Sequence, residues 1–481
     1  MKIIIYVVDC LRADHVSCFG YRRQTTPNID TLAQDSVLFE NAFSPSTWTK
    51  PVAASLLTGL YPPAHGLRMR TDVLKWNIRT LPELLREHGY TTLAISTIGN
   101  VSSSLGFGKG FDRFIDLYKE PSLLAKRPVA DVHLEKLYNE KQGEVIFPLA
   151  EDINEVLFPW IEKHINQNFF VFLWAMDPHD PYNPSEEWNL FVDPKYKGRM
   201  DGSRELAKRA NRLEDLQHLI NLYDGEIAYT DHCFGQLVAY LKRKGIYNET
   251  AIFILGDHGE AFGDHGHMLH GHLPFDEIIR VPLVMKSPAQ FYAGQRVSGL
   301  VSLLDIMPTI LDLANVPSSE WESLTQGSSL LNTLDNGNHG MHKIVFSETQ
   351  AVEANNTVYS VRTKNWKYIW VKSPDRANRV KSLGRILTNL AILGEVLRNP
   401  LFYLRRQVSV ARQYLYNIVD DPEESNNLAH KMPHITSHYQ EGIRNWRQEC
   451  ENLVDEYEEL AMQLEIDEAT LEHLRALGYI D

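Results

Sequence analysis

Thr49-Lys50-Pro51-Val52-Ala53 runs directly into Ala54-Ser55-Leu56-Leu57-Thr58-Gly59 and on to Tyr61-Pro62 and His65-Gly66. Pro51 falls where the first turn of a helix begins, because its fixed φ suits that turn and its missing N–H is not needed there. Ala53 to Leu57 continues the helix. The Thr49 hydroxyl then lies at a helix N-terminus, where free backbone N–H groups favour an anion. Two roles are open to it: a cap on the helix, or a nucleophile whose pKa a neighbouring cation lowers. His65, in a Pro-x-x-His-Gly turn, reads as structural.

Working outward, short apolar runs alternate with helical patterns through the first 315 residues. Ile3 to Val8, Thr92 to Ile95, Phe169 to Ala175, Ala251 to Leu255 and Pro282 to Met285 read as strands. Leu81 to His88, Ile153 to Ile165 and Leu213 to Lys244 read as helices. That alternation predicts an α/β fold, a mostly parallel central sheet with helices on both faces. In such sheets ligands sit beyond the carboxyl ends of the strands. Asp9 ends the first run, and Asp257-His258-Gly259-Glu260 follows the run Ala251 to Leu255. Two carboxylates and an imidazole at one sheet edge suit a divalent cation.

The chain of 481 residues is long enough for a large core, here one big α/β domain over 1–340 and a C-terminal subdomain over 341–481. In the second part, Lys343 to Ser347, Thr357 to Arg362 and Trp366 to Val371 read as short antiparallel strands, and a charged helix runs from about His434 to Leu464. Net charge is −14, which argues against a nucleic-acid-binding face. An anionic substrate must therefore be attracted locally. The start, Met1 to Asp9, reads as a buried strand rather than a signal peptide, since Asp9, Arg12 and Asp14 interrupt it without a small-residue cleavage site. No apolar stretch reaches spanning length. Cys10, Cys18, Cys233 and Cys450 form no CxxC pair, which points to a reducing, cytoplasmic setting. The segment 376–412 carries eight Arg or Lys against the single acid Glu395. It reads either as a lid or interfacial element for anionic lipid or a large anionic substrate, or as a helical insertion packed on the body or another subunit. The sequence does not fix an oligomeric state.

The Thr49 segment resembles the nucleophile motif of the sulfatase family, within the alkaline phosphatase superfamily. Leu415-Tyr416-Asn417, Asp421-Pro422-Glu423-Glu424 and Asn426-Asn427-Leu428 likewise resemble the C-terminal subdomain of that family. The resemblance covers nearly the whole chain, with a break between about 375 and 413. It implies that Asp9, Asp257 and His258 bind a catalytic divalent cation (Mn²⁺, Zn²⁺, Ca²⁺ or Mg²⁺), with one ion expected and two as an option. Thr49 would be both nucleophile and metal ligand. Family members open the motif with a Cys or Ser that is oxidised to formylglycine and place an Arg four positions later. Thr49 and Ala53 stand at those positions here, and neither permits formylglycine chemistry. Lys50 or a backbone amide is then a candidate to replace the missing Arg charge. Many sulfatases have a second Asp after the first; here it is Cys10, read either as an inert buried thiol or as a soft ligand favouring zinc.

Asp177-Pro178-His179-Asp180-Pro181-Tyr182 resembles the family's P-H-x-P-Y loop, which makes His179 the expected general acid for the leaving group. His265, His267, His270 and His272 precede Phe275-Asp276-Glu277 and Arg280-Val281-Pro282, where the family supplies a charged-group ligand. Either His270 or His272 fills that role. Ser96, Thr97 and Asn100 stand where many sulfatases place a sulfate-binding Lys and His, and Asn100 is expected to donate to an ester oxygen. The leading expectation is a metal-dependent hydrolase of phosphate or sulfate esters working through a covalent Thr49 intermediate. Phosphorus is preferred, because formylglycine hydrate expels sulfate by eliminating to an aldehyde and a threonine ester has no such exit. The alternatives are a sulfuric ester hydrolase without formylglycine, a transferase to an acceptor alcohol, and a binding protein that kept the fold and lost turnover.

Overall fold

The computed structural model describes residues 1–120, 147–335, 342–351, 356–372, 412–455 and 466–477. The basic segment 376–412 lies outside the described residues except for Arg412, as do the expected domain boundary at 340 and the end of the charged helix beyond 455.

The first apolar run becomes β1 (Lys2–Val8), fully buried along its length. It is the centre of an eight-stranded sheet with β2 (Val37–Phe43), β3 (Thr91–Ser96), β4 (Arg113–Asp116), β5 (Phe169–Ala175), β6 (Thr250–Gly256), β9 (Arg280–Lys286) and β10 (Gln295–Ser302), while the short β7 (Ala261–Phe262) and β8 (Met268–Leu269) pair with each other. The strand order is β10-β2-β9-β6-β1-β5-β3-β4. All neighbours pair in parallel except β9, which is antiparallel to β6 and to β2. A near-continuous apolar run is what a strand covered on both faces requires, and successive residues of β1 feed opposite faces. Ile3, Ile5 and Val7 join one core cluster; Ile4, Tyr6 and Val8 join the other.

Helices α1 (Pro27–Gln34), α2 (Thr49–Thr58), α3 (Leu81–Glu87), α4 (Ala150–His164), α5 (Leu213–Arg243) and α6 (Ile306–Leu313) cover the sheet. Val52, Leu56 and Leu57 of α2 pack in the first cluster; Ile153, Leu157 and Ile161 of α4 and Leu219, Phe234 and Leu237 of α5 pack in the second. The expected mostly parallel sheet with helices on both faces is what the chain forms. β2, β4 and β10 were not among the runs read from sequence. β10 is an edge strand with a mixed burial pattern and carries no clean period-2 signal.

The C-terminal sheet is antiparallel, in the order β11 (Ile344–Ala351), β12 (Asn356–Thr363), β13 (Trp366–Lys372), β14 (Gln413–Asn417). Two helices follow, α7 (Pro433–Asp455) and α8 (Glu468–Ala476). Among the described residues no helix is long and apolar enough to cross a membrane.

Register places the site. Val8 of β1 pairs with Ala175 of β5 on one side and Gly256 of β6 on the other. The three strands end level, so Asp9 and Asp257, each one residue past its strand, emerge side by side.

Candidate active site

Asp9, Asp257 and His258 are completely buried, and their ligand atoms lie within 4.8 Å of one another. Asp257 Oδ1 accepts the backbone N–H of Cys10 (3.0 Å) and of His258 (2.8 Å), while its Oδ2 is buried without a hydrogen-bond partner. The His258 Nδ1–H donates to Gly259 O at 2.9 Å. This fixes the tautomer and turns the Nε2 lone pair toward Asp257 Oδ2 at 3.3 Å and Asp9 Oδ1 at 3.8 Å;. Burial holds the imidazole neutral, its pKa lowered to about 4. Burial, and then Asp9, push the Asp257 carboxyl well above its usual range. Converging lone pairs in a dry pocket repel one another unless a cation lies among them, so this donor set fits a divalent metal. Trp174 Nε1 donates to Asp9 Oδ2 at 2.9 Å and orients that carboxylate from behind.

Thr49 is the first residue of α2, and Trp48 occupies the cap position. The simple capping role is therefore not the one observed. The hydroxyl points to Asp9 Oδ2 at 3.5 Å and His258 Nε2 at 3.4 Å. The loop in front of it is held by the second sheet. Ser46 Oγ donates to Glu348 O (2.8 Å), Thr47 Oγ1 to Thr349 Oγ1 (2.8 Å), and Ser347 Oγ to Ser44 O (2.6 Å). Lys50 is equally buried, but its ammonium donates to the carbonyls of Arg70 and Asp72. Its observed partners are thus the 70–72 loop rather than the carboxylate cluster, unlike the expectation that it replaces the missing Arg. Burial brings its pKa down to about 8. Ala53, at the Arg position, is buried in the apolar core.

Cys10 takes a left-handed backbone conformation, φ 59°, and its Sγ lies 3.3 Å from Asp9 Oδ1 and 3.4 Å from His270 Nδ1. Burial, followed by the charges of Glu260 and Asp9, drives its thiol well above the usual range. His270 also contacts Glu260 Oε1 at 3.1 Å, and its ring sits 4.6 Å from that of His258 and 5.0 Å from that of His179. Of the two candidate histidines, His270 is the one brought to the cluster. His272 bonds Leu269 O at 2.8 Å and stacks on His267 instead. His179 Nδ1–H donates to Asp180 O at 2.6 Å, and Asp180 is clamped by Arg204 at 2.7 and 2.9 Å. Cys10, His179, Asp180 and His270 form further overlapping ligand groups beside the first.

Asn100 is 1% exposed, with its Nδ2 unpartnered. Ser96 and Thr97 serve the backbone: Thr97 Oγ1 accepts Met176 N and donates to Trp174 O. His65 holds Ser55 and the Leu67 N–H. Sequence reasoning missed the supporting roles of Trp174, Asp180 with Arg204, and Glu260, whose Oε2 accepts the Tyr182 hydroxyl at 2.8 Å. Asp180 and Glu260 lie within the motifs around His179 and His258, but their partners Arg204 and Tyr182 are 24 and 78 residues away, and no local pattern marks the pairing.

Comparison with known proteins identifies the family. Residues 2–316 match the sulfatase profile, and residues 263–378 match that of the N-sulphoglucosamine sulphohydrolase C-terminal region. The arylsulfatase of Clostridium perfringens is 25% identical over 457 residues, covering 84% of this chain and 93% of its own. A multifunctional alkaline phosphatase superfamily protein of Trinickia caryophylli is 25% identical over 402 residues, covering 70% and 77%. The solved phosphonate monoester hydrolase of Agrobacterium radiobacter superposes with a TM-score of 0.68 at 20% identity, covering 93% of this chain and 96% of its own. With the family profile matched across about two thirds of the chain, this protein belongs to the sulfatase family.

Proposed function

We propose that this ester hydrolase cleaves phosphorus esters, mono- or diesters or phosphonate monoesters, with Thr49 as nucleophile. The observation that carries the reading is the Thr49 hydroxyl lying 3.5 Å from Asp9 Oδ2 and 3.4 Å from His258 Nε2 at the start of a buried helix. Asp9, Asp257 and His258 would hold one divalent cation. The mix of carboxylate and imidazole, with a thiol at hand, suits Mn²⁺ or Zn²⁺ better than Ca²⁺. When bound, the cation supplies positive charge for the anionic ester and acidifies the hydroxyl.

The chain's own groups do the rest. Thr49 Oγ1 would give its proton to Asp9 Oδ2 as it attacks in line, and the bond to the leaving oxygen breaks as protonated His179 supplies that oxygen's proton; water, losing a proton to His179, then displaces Thr49, whose oxygen recovers its proton from Asp9. Asp180, held by Arg204, keeps the His179 ring in place through its carbonyl. His270 would contact the anion or a second ion. The second reading, a sulfuric ester hydrolase without formylglycine, is favoured by the relatives named as sulfatases. The four free cysteines support a reducing, cytoplasmic setting.

The test is a panel of aryl phosphate, bis-aryl phosphate, aryl phosphonate and aryl sulfate with Mn²⁺, Zn²⁺, Mg²⁺ or Ca²⁺, comparing wild type with Thr49→Ala. Metal-dependent turnover of phosphorus esters that vanishes in the variant supports the proposal. Turnover confined to sulfate esters moves the assignment to the second reading, and activity unaffected by the substitution removes the nucleophile.

A further inference from the structure

Helix α8 brings a histidine to the β3 edge of the site from the far end of the chain. His473 is 1% exposed, and both its ring nitrogens are buried without a hydrogen-bond partner. Its ring packs against Gly99, where a Cβ would fall 3.0 Å from His473 Cδ2. A side chain there would press on the ring, and the next residue is Asn100, whose Nδ2 is also unpartnered. Buried donors are nearly always satisfied, so two orphans on adjoining segments call for a common ligand.

The position of the ring is built rather than incidental. Asp467 caps α8 by accepting Thr470 N at 3.0 Å, and Lys119 reaches Asp467 at 2.7 Å. The Thr470 hydroxyl joins those of Ser104 (2.9 Å), Tyr118 (3.0 Å) and Ser102 (3.3 Å), all on the segment after β3. The Tyr118 ring lies tilted against that of His473, centroids 4.3 Å apart. The segment it packs on opens at the same sheet edge as the site: Ser96, the last residue of β3, pairs with Trp174 of β5, one residue short of the level ends of β1 and β5. Thr97, three residues before Asn100, braces the backbone of Trp174, the residue that holds Asp9.

We propose that His473 joins Asn100, itself expected to meet an ester oxygen, as a second donor to the bound tetrahedral anion on the β3 side of the site. The inference rests on the hydrolase reading above and adds a substrate-contacting residue supplied by the C-terminal helix. An N–H from the imidazole and the two from the amide match the oxygen-rich face of a phosphoryl or sulfuryl group.

The experiment is titration calorimetry of inorganic phosphate and of sulfate into the full-length, Mn²⁺-loaded protein, alongside steady-state kinetics on the responsive aryl ester. Wild type, His473→Phe, His473→Gln, Asn100→Ala and Thr49→Ala are compared. His473→Phe and Asn100→Ala are expected to weaken binding of at least one of the two anions and to raise KM by roughly tenfold, the scale of a hydrogen bond to a charged group. His473→Gln, which keeps a donor, should recover most of the loss, with bound metal and Tm unchanged. Equal anion affinity in wild type and His473→Phe overturns the pair. So does a loss shared by Phe and Gln that follows a fall in Tm, or a wild type that binds neither anion. Thr49→Ala separates the two ideas. Retained turnover in that variant removes the nucleophile, while the Phe-against-Gln contrast in affinity still decides the pair.

Discussion

Thr49 differs from Ser by a methyl group, and from both Ser and Cys by the lack of any route to an aldehyde. Its hydroxyl nevertheless lies 3.5 Å from Asp9 Oδ2 and 3.4 Å from His258 Nε2, the geometry on which the proposed nucleophilic role rests. Thr49→Ala should lower kcat by on the order of 10³-fold or more while leaving the fold and metal content intact. Thr49→Ser should retain measurable turnover; burst-phase kinetics and intact-protein mass spectrometry of trapped ester would follow both. Asp257 is the second decisive side chain. Its Oδ1 bonds two backbone N–H groups that the oxygen of an amide could still accept. Asp257→Asn thus removes charge while keeping these contacts, and bound Mn²⁺ or Zn²⁺ after dialysis, read by atomic emission, should fall by at least about tenfold.

At the scale of elements, α2 must both carry Thr49 and stop at a defined point. It stops at Gly59, which adopts φ +65°, and a Cβ there would lie 2.1 Å from Thr325 Oγ1. Gly59→Ala adds left-handed strain to a steric clash, and should cost about 2 kcal/mol or more in urea unfolding. The loop carrying the four histidines is tied down differently. His265 Nδ1 meets Glu277 Oε1 at 2.9 Å and its Nε2 meets Glu423 O at 3.1 Å. Burial alone would lower its pKa, but the Glu277 hydrogen bond and charge, then Glu424, raise it from 6.5 to about 9. A histidine raised on folding contributes stability that is complete below about pH 6.5 and lost as pH rises through about 9. The Tm deficit of His265→Gln should therefore be present near neutrality and shrink above about pH 9, as thermal scans across that window would record.

At the scale of the molecule, the two sheets are joined by buried charge. Asp276, ahead of β9, meets Lys367 Nζ of β13 at 2.8 Å and Arg362 Nε of β12 at 3.2 Å, and its N–H donates to Glu424 Oε2 at 2.7 Å. Although burial opposes ionisation, Lys367 and then Arg362 hold the Asp276 carboxyl well below its usual range. Lys367 is fully buried. Lys367→Met would leave Asp276 with Arg362 alone and remove the cation beside buried Glu424, and should destabilise by about 3–5 kcal/mol in chemical denaturation. Because β11 also braces the loop before Thr49, loss of turnover should accompany that unfolding rather than precede it.

The central strands, α2 and the meeting of Asp9 with Asp257 and His258 at one sheet edge were legible in the chain, because β-strand ends and a helix start are local patterns. The strand β10 escaped notice because an edge strand has no uniform burial to read. What tertiary structure alone decided was the relation between distant pieces. It set the level ends of β1, β5 and β6 that bring Asp9 beside Asp257, and turned His270 rather than His272 inward. It engaged Lys50 with the 70–72 carbonyls, and carried His473 to Gly99 and Asn100 across 373 residues of sequence. Such choices follow from which faces pack together and which buried donors find partners, and no local spacing encodes them.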